Sequence, residues 1–278
     1  MKIMEREQIH EIEPVVIGPS FIKGNFVYSE RLRGELARRV HEEGREIVAR
    51  DYKGVPAFRE PRNFDKRTGE IIGSSIFWGI IDDKVLRKKR LWLPGLQEAR
   101  KLEELGKLTK GVCRYFGIVV YNDNEYNIEI GKSLVSEANK RDLKLPLVLP
   151  FRAMDIRKAG NDYGVEILFA NESQGIISGD EAREAINSLD YKTFSGVHRL
   201  GRDINGGWDA CWYYLSTLSS DYGRVDRVCG EDTSTSLINK LKNGINNLYD
   251  QKIKDLNGRL QSIEIEREKA IEHINKIF

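Results

Sequence analysis

The spacing of apolar residues over positions 234–278 predicts one long helix with a continuous apolar stripe. From Tyr249 onward the apolar steps alternate between four and three residues, the a/d spacing of a coiled-coil heptad, and only Arg267 interrupts it. The stripe consists of Leu241, Ile245, Tyr249, Ile253, Leu256, Leu260, Ile263, Ala270, Ile274 and Ile277. A straight helix of this length would extend about 65 Å, which exceeds the width of a small domain. We therefore expect a coiled-coil helix that pairs with another copy of the chain or docks into a larger assembly.

The same stripe also permits a helix that packs on its own chain. Gly244 lies near the beginning of the segment and allows a bend there, so the helix could fold back and bury the stripe without a partner. Isoleucine and leucine are mixed across the a and d positions, so the pattern does not separate a dimer from a trimer.

Shorter apolar runs, separated by Pro and Gly, predict a mixed α+β body before this helix. Helices are expected at 29–50, 96–108, 126–142 and 178–189, and strands at 71–81, 84–93, 113–121, 143–151, 163–170, 196–200 and 225–229. Ser29 and Ser178 occupy N-cap positions of helical patterns. The order strand, helix and continuous apolar strand over 113–151 predicts a βαβ unit with a parallel pair. The chain thus divides into an N-terminal arm (1–28), a mixed α/β body (29–230) and the coiled-coil helix (234–278), with a linker at 230–235 and a long loop at 51–69.

Composition and charge restrict the class of protein. The chain has 278 residues, of which 40% are apolar, so it is long enough for a substantial core. A charged fraction of 32% suits a protein from a hot environment, and highly charged helices of a mesophilic protein are the alternative. A net charge of +2 gives no global basic field for nucleic acid. Three cysteines without CxxC spacing argue against disulfides and zinc. The charged N-terminus and the lack of an 18-residue apolar run predict neither a secretory signal nor a membrane span. We therefore expect a cytoplasmic protein or a particle assembled inside the cell.

One short segment concentrates positive charge beside an aromatic residue. Cations next to a ring can bind the phosphates and stack on the bases of a nucleic acid. Charges that protect an edge strand from aggregation are the alternative interpretation. The segment comprises Lys84, Arg87, Lys88, Lys89, Arg90 and Trp92, and we call it the basic cluster.

The same region contains a candidate magnesium-dependent nuclease centre. Asp82-Asp83-Lys84 follows an apolar run that we predict to be a strand, so Asp82 and Lys84 would project to one face, with Asp65 upstream. Two carboxylates that hold Mg²⁺ and a lysine that supports the attacking water form a known catalytic arrangement. Acidic residues that simply end a strand at a turn are the alternative.

An aromatic segment at 208–214 lies next to charged residues and is the candidate small-molecule pocket. Aromatic rings would stack on a ligand, and guanidinium and carboxylate groups would orient it. The alternative is a hairpin that leads into an aromatic core, with the charges paired at its rim. The pocket candidates are Arg199, Arg202, Asp203, Trp208 and Trp212.

The absence of known catalytic motifs favours a structural or adaptor role over an enzymatic one. The sequence has no P-loop, no GxGxxG element and no GxSxG elbow, and its four histidines have no metal-ligand spacing. We therefore expect a protein that self-associates or docks into an assembly such as a viral or mobile-element particle. It needs no cofactor or metal in that role. The runner-up is a nucleic-acid-binding protein, including a Mg²⁺-dependent nuclease, and a small-molecule enzyme built around the aromatic segment is a third class.

Overall fold

The computed structural model describes residues 14–19, 25–59, 62–73, 75–108, 114–122, 128–170, 175–189, 196–202, 208–211, 224–225 and 227–277. Within these residues the chain forms six α-helices and fourteen short strands, a mixed α+β fold. The helices are α1 (Gly34–Asp51), α2 (Ile76–Arg87), α3 (Leu96–Glu104), α4 (Ile128–Asn139), α5 (Gly179–Asn187) and α6 (Ser234–Ile277). The strands are β1 (Val15–Pro19), β2 (Asn25–Arg31), β3 (Asn63–Asp65), β4 (Glu70–Ile72), β5 (Leu91–Trp92), β6 (Arg114–Tyr121), β7 (Leu147–Pro150), β8 (Met154–Lys158), β9 (Val165–Phe169), β10 (Ile177–Ser178), β11 (Val197–Arg202), β12 (Trp208–Cys211), β13 (Arg224–Val225) and β14 (Arg227–Thr233). Two 3-10 turns lie at Pro56–Phe58 and Phe151–Ala153.

The central sheet is built around β6, which has neighbours along both edges. On one edge β6 pairs with β11, which in turn pairs with β12. The other edge is divided, because residues 118–121 pair with β7 and residues 114–115 pair with β13. Between these pairings the Gly117 N–H donates to the Pro94 carbonyl oxygen at 3.0 Å, and a Cβ on Gly117 would lie 2.6 Å from the Leu93 Cβ. β10 extends the sheet beyond β7, and β4 and β3 extend it beyond β13.

Helices cover both faces of this sheet, so the core has two main parts. Val119 and Tyr121 of β6 face the larger part, which includes the buried faces of α1 and α2. Ile118 and Val120 face a smaller part that is closed by α3 and α5. Alternate residues of one strand therefore pack into different cores, as the period of two in a strand requires.

A second antiparallel sheet, in the order β1-β2-β14-β5, carries the terminal helix. The two strands of the predicted N-terminal arm lie in this sheet beside β14 of the same chain. β14 ends at Thr233 and α6 begins at Ser234, so the expected linker at 230–235 is strand and helix. α6 contacts β14 and β2 where it leaves the sheet. A third pair of strands, β8 and β9, packs against α4.

The expected parallel pair of a βαβ unit is wrong, since β6 and β7 are antiparallel. Tyr121 at the end of β6 lies opposite Leu147 at the start of β7, so the chain leaves the sheet and returns at the same edge. The intervening helix α4 packs on β9 and does not cross the sheet. The continuous apolar run of β7 correctly indicated burial on both faces, which is usual for parallel sheets. Here helices on both sides bury an antiparallel strand in the same way.

The prediction of strands at 71–81 and 84–93 is also wrong over most of its length. Only β4 and β5 are extended there, and α2 occupies the interval between them. Residues 76–81 are all buried, so the apolar run has no helical periodicity that could distinguish it from a strand. Ser75 begins the helix, because its hydroxyl accepts a hydrogen bond from the Trp78 N–H at 3.1 Å.

Other boundaries differ less from the expectation. α1 begins at Gly34 and not at Ser29, which belongs to β2 and donates its hydroxyl to the Val228 carbonyl oxygen at 2.9 Å. Ser178 precedes α5 as predicted, but its side chain makes no capping hydrogen bond. The predicted loop at 51–69 contains a 3-10 turn and β3. Helices at α3 and α4 and strands at β6, β9 and β11 are confirmed.

Candidate functional site

The terminal helix α6 exposes a continuous apolar stripe to solvent. It is 44 residues long, about 65 Å at 1.5 Å per residue. Its large apolar side chains from Tyr249 to Ile274 are 46% to 63% exposed, whereas the other exposed large apolar residues among those described, Leu105 and Leu145, are at 40% and 37%. A helix folded back on its own chain would bury these residues. Self-packing is therefore wrong for residues 249–274.

The exposed residues follow the predicted heptad with few deviations. Ile253, Leu260 and Ile274 fall at a, and Tyr249, Leu256 and Ile263 fall at d. Arg267 occupies the remaining a position, and Ala270 the following d position. Ile265 and Ile271 are exposed outside the seam, at f and e. The side chains of Leu241, Ile245 and Ile277 lie outside the described part of the structure.

Three of the five cations in the basic cluster form ion pairs with carboxylates of the same chain. Lys84 binds Asp155 at 3.2 Å, Arg87 binds Asp83 at 3.1 Å and Lys89 binds Glu43 at 2.6 Å. Lys88 and Arg90 are exposed and have no carboxylate partner among the described residues. The partners are distant in sequence or on the buried side of α2, so the run of cations did not reveal them. The cluster presents less uncompensated positive charge than its sequence suggested.

Trp92 is not available as a stacking platform on this surface. Its indole N–H donates to the Glu98 carboxylate at 3.3 Å, and the Arg152 guanidinium lies 5.8 Å from its ring centre. Arg152 in turn binds Glu98 at 2.7 Å. The ring is thus held in a local network within the half-buried region beside β5. Stacking on a base would require that network to open.

The nuclease arrangement expected from Asp65, Asp82 and Lys84 does not form. Asp82 and Lys84 lie two positions apart on a helix, so they project to different faces. Asp82 is fully buried and paired with Arg62, while Lys84 is exposed. The Asp65 carboxylate accepts hydrogen bonds from the Arg67 N–H and the Thr68 hydroxyl, at 2.8 and 2.9 Å, in the turn after β3. Among the described residues, no group of three His, Cys, Asp or Glu side chains is placed to hold a metal ion.

Arg62 and Asp82 form a buried ion pair that the sequence did not predict. It lies against Gly44 of α1, where a Cβ would approach the Arg62 Nη1 to 2.9 Å. The Arg62 guanidinium also lies over the Trp78 ring, 4.8 Å from its centre. Burial raises the pKa of Asp82 to about 6, and the charges of Arg62 and Arg199 oppose that shift. The pair is an internal structural contact between α2 and the segment just before β3, packed against α1, and it is closed to a ligand.

Arg199, one of the pocket candidates, is part of the core. Its guanidinium donates to the carbonyl oxygens of Phe116 and Ser75 at 3.1 and 3.2 Å. It also lies between two aromatic rings, 4.9 Å from the centre of Tyr115 and 5.0 Å from that of Phe151. These contacts use the cation to join β11, β6 and the start of α2. They support the alternative of a hairpin that leads into an aromatic core.

Trp208 has a similar structural role at the start of β12. Its ring packs on Phe116 with 5.4 Å between centres, and its indole N–H donates to Glu103 at 2.9 Å. The side chain of Arg202 and all of Asp203 and Trp212 lie outside the described residues. The structure therefore places Arg199 in the core and packs the half-buried Trp208 on Phe116.

A cleft of about 350 Å³ lies elsewhere, beside the C-terminal end of α1. Its apolar lining includes Tyr52, Phe58 and Trp78, and its charged lining consists of Arg45, Lys53 and Arg59. The sequence did not predict this cleft, because its lining comes from α1, from the loop after α1 and from α2, which was predicted to be a strand. The only available signal was the accumulation of aromatic and basic residues between 45 and 59.

No protein family, curated protein or solved structure matches this chain. No described helix is both long enough and apolar enough to cross a lipid bilayer. The function proposed below therefore depends on the apolar stripe of α6, whose large side chains are more exposed than the other large apolar residues described.

Proposed function

We propose that this protein is a structural or adaptor protein that self-associates through α6, and that the partner of the helix is a second copy of the same chain. The observation that supports this most directly is the exposed stripe from Tyr249 to Ile274. Exposed apolar surface of this extent is unfavourable in an isolated molecule and usually marks an interaction site. Here it follows a 3-4 spacing that only another helix of matching period can cover along its whole length.

A second copy fits because the seam is complementary to itself. In a parallel, in-register pair each a and d side chain meets the same side chain of its partner. The g position Arg259 of one helix then lies beside the e position Glu264 of the other, which is an attractive pair. A two-fold arrangement supplies this contact twice. The proposal therefore includes a parallel orientation.

The charge of the helix argues against a lipid surface as the partner. Residues 234–278 contain eight Lys and Arg against six Asp and Glu. A helix that lies on a membrane has a polar face rich in Lys and Arg, together with a large continuous apolar face. The narrow a/d seam and the nearly balanced charges of α6 instead match a coiled coil.

Arg267 would restrict the way in which the helices pair. It is the one charged residue at an a position of the seam between Ile253 and Ile277. A polar residue at one a position reduces the stability of a coiled coil but specifies its register and number of strands. Arg267→Leu should therefore strengthen association and weaken the preference for a single oligomeric state. Sedimentation equilibrium of the two proteins measures both effects.

The absolute mass of the full chain in solution tests the proposal. Light scattering over a range of concentrations should give a multiple of the 31.9 kDa chain mass. A monomer at every concentration up to the millimolar range would contradict self-association. Oxidation of a Leu256→Cys variant then tests the orientation, since this d position meets itself only in a parallel pair. Ile265→Cys, at an outward position, is the control that should not crosslink within the same complex.

A further inference from the structure

The cleft beside α1 combines an aromatic interior with a cationic rim. Its interior is formed by Tyr52, Val55, Phe58 and Trp78, and its volume is about 350 Å³. Tyr52 and Phe58 pack at 5.3 Å between ring centres, and Phe58 and Trp78 at 5.2 Å. The Tyr52 hydroxyl is fixed by donation to the Ile156 carbonyl oxygen at 2.9 Å. These contacts hold the aromatic residues in place before any ligand binds.

Among the described residues that line the cleft, every charged side chain is positive. Arg45, Lys53 and Arg59 line it, all three are exposed, and no carboxylate of the described residues lines it. None of the three side chains has an ion-pair or hydrogen-bond partner among the described residues, although neighbouring Arg50 and Arg38 on α1 are paired with acids. The charge of Arg45 also acts on a neighbouring buried side chain. The pKa of His41 falls to about 4, first because of burial and then because of the charges of Arg62 and Arg45.

Trp78 adds a polar group without a protein partner. It lines the cleft and is only 5% exposed. Its indole N–H has no acceptor in the described structure. A buried donor without an acceptor is unfavourable by about 1–3 kcal/mol, so most such groups bind protein or an ordered ligand. The nitrogen itself is fully buried, so Trp78 contributes only its ring to the cleft.

We propose that this cleft binds a nucleoside phosphate, with its phosphates held by Arg45, Lys53 and Arg59 and its planar base placed against the aromatic interior. Three unpaired cations suit a multiply charged anion, and guanidinium groups bind phosphate oxygens in a bidentate manner. The apolar interior excludes a ligand that is charged throughout. A volume near the lower limit for small-molecule sites suits one nucleotide and is too small for a dinucleotide. This site lies on the body of the chain and does not depend on the proposed function of α6.

Calorimetric titration of the full chain with adenosine, AMP, ADP and inorganic phosphate tests the proposal. Affinity should increase from adenosine to AMP to ADP, decrease with salt, and exceed that for inorganic phosphate because only the nucleotides carry a base. Arg45→Gln/Arg59→Gln should weaken ADP binding roughly 100-fold, since two charge-assisted contacts are lost. Both residues are exposed, so the variant should keep the melting temperature of the wild type.

Lys88→Gln/Arg90→Gln is the matched control. It removes two exposed cations from the turn that follows α2, neither of which lines the cleft. The variant should leave the ADP affinity within about threefold of the wild type, because surface charges beyond the screening length act weakly. An equal loss of affinity in both variants would show general attraction of anions and overturn the proposal. Inorganic phosphate that binds as tightly as ADP would do the same. So would tight binding of a single-stranded oligonucleotide without measurable binding of ADP.

Discussion

Replacement of two seam residues, Leu260→Lys/Ile263→Lys, should dissociate the proposed assembly. The two side chains are 59% and 63% exposed in the single chain. Full burial of such a residue contributes about 1.5–3 kcal/mol, so burial of the part that is still exposed contributes about 1–2 kcal/mol. A dimer loses four of these side chains in the double variant, which amounts to about 4–8 kcal/mol. The dissociation constant should therefore rise by a factor of about a thousand or more.

Sedimentation equilibrium at several concentrations measures this change directly. The wild type should be a multimer and the double variant a monomer over the same micromolar range. Circular dichroism at matched concentrations should also show that α6 loses part of its helicity in the variant, since tertiary packing stabilises most helices. The signal from the α+β body should remain.

Ile265→Lys is the control for this experiment. Ile265 is 52% exposed and lies at an f position, directed away from the seam. The same chemical change there should leave the mass unchanged. If Ile265→Lys dissociates the protein as effectively as the seam variant, association depends on general hydrophobicity and not on the a/d seam. If the wild type is a monomer throughout, the reasoning from the exposed stripe is refuted.

Three further substitutions test the buried ion pair, the buried histidine and the continuity of α6. Arg62→Met leaves Asp82 buried without its partner and should lower the free energy of unfolding, measured by urea titration, by about 3–5 kcal/mol. Arg38→Gln is the control, because Arg38 forms only exposed ion pairs and its loss should leave the urea midpoint unchanged. The pKa of His41 is about 4 in the folded chain against 6.5 when unfolded, so the neutral side chain contributes about 3 kcal/mol above pH 6.5, and this stability is lost as the pH falls toward 4. The difference in unfolding free energy between the wild type and His41→Gln across that pH range measures it. Gly258→Ala, where a Cβ meets nothing within 4 Å, should stabilise α6 by about 1 kcal/mol, seen as increased helicity, and no gain there would contradict a continuous exposed helix.

The terminal helix shows how far a long periodic pattern is informative. Its beginning at Ser234 and its heptad spacing were predictable, because the steps from Tyr249 repeat over nearly four heptads. The exposure of its stripe was not predictable. A helix that packs on its own chain and one that extends into solvent have the same periodicity, and only the contacts of α6 with the sheet at its base distinguish them.

The candidate sites failed where long-range partners decide the chemistry. Asp82 and Lys84 carried the residue types of a nuclease centre, but a helix in place of a strand separates them, and Arg62 neutralises the first. The basic cluster is compensated by acids such as Glu43 and Asp155, which no local pattern connects to it. An ion pair is specified by proximity in space, so a single sequence cannot reveal whether a charge is free.

The sequence by itself determined most of the helices and strands outside 71–93, the helical nature of residues 234–277 and the burial of strands such as β7 on both faces. These features depend on local periodicity, which the order of residues contains. Only the tertiary structure decided that β6 and β7 are antiparallel, that α2 replaces a strand, and that Arg45, Arg59 and Trp78 line one cleft. Each of these depends on which segments meet, and that choice follows from the burial of the whole apolar surface at once, not from the pattern of any one segment.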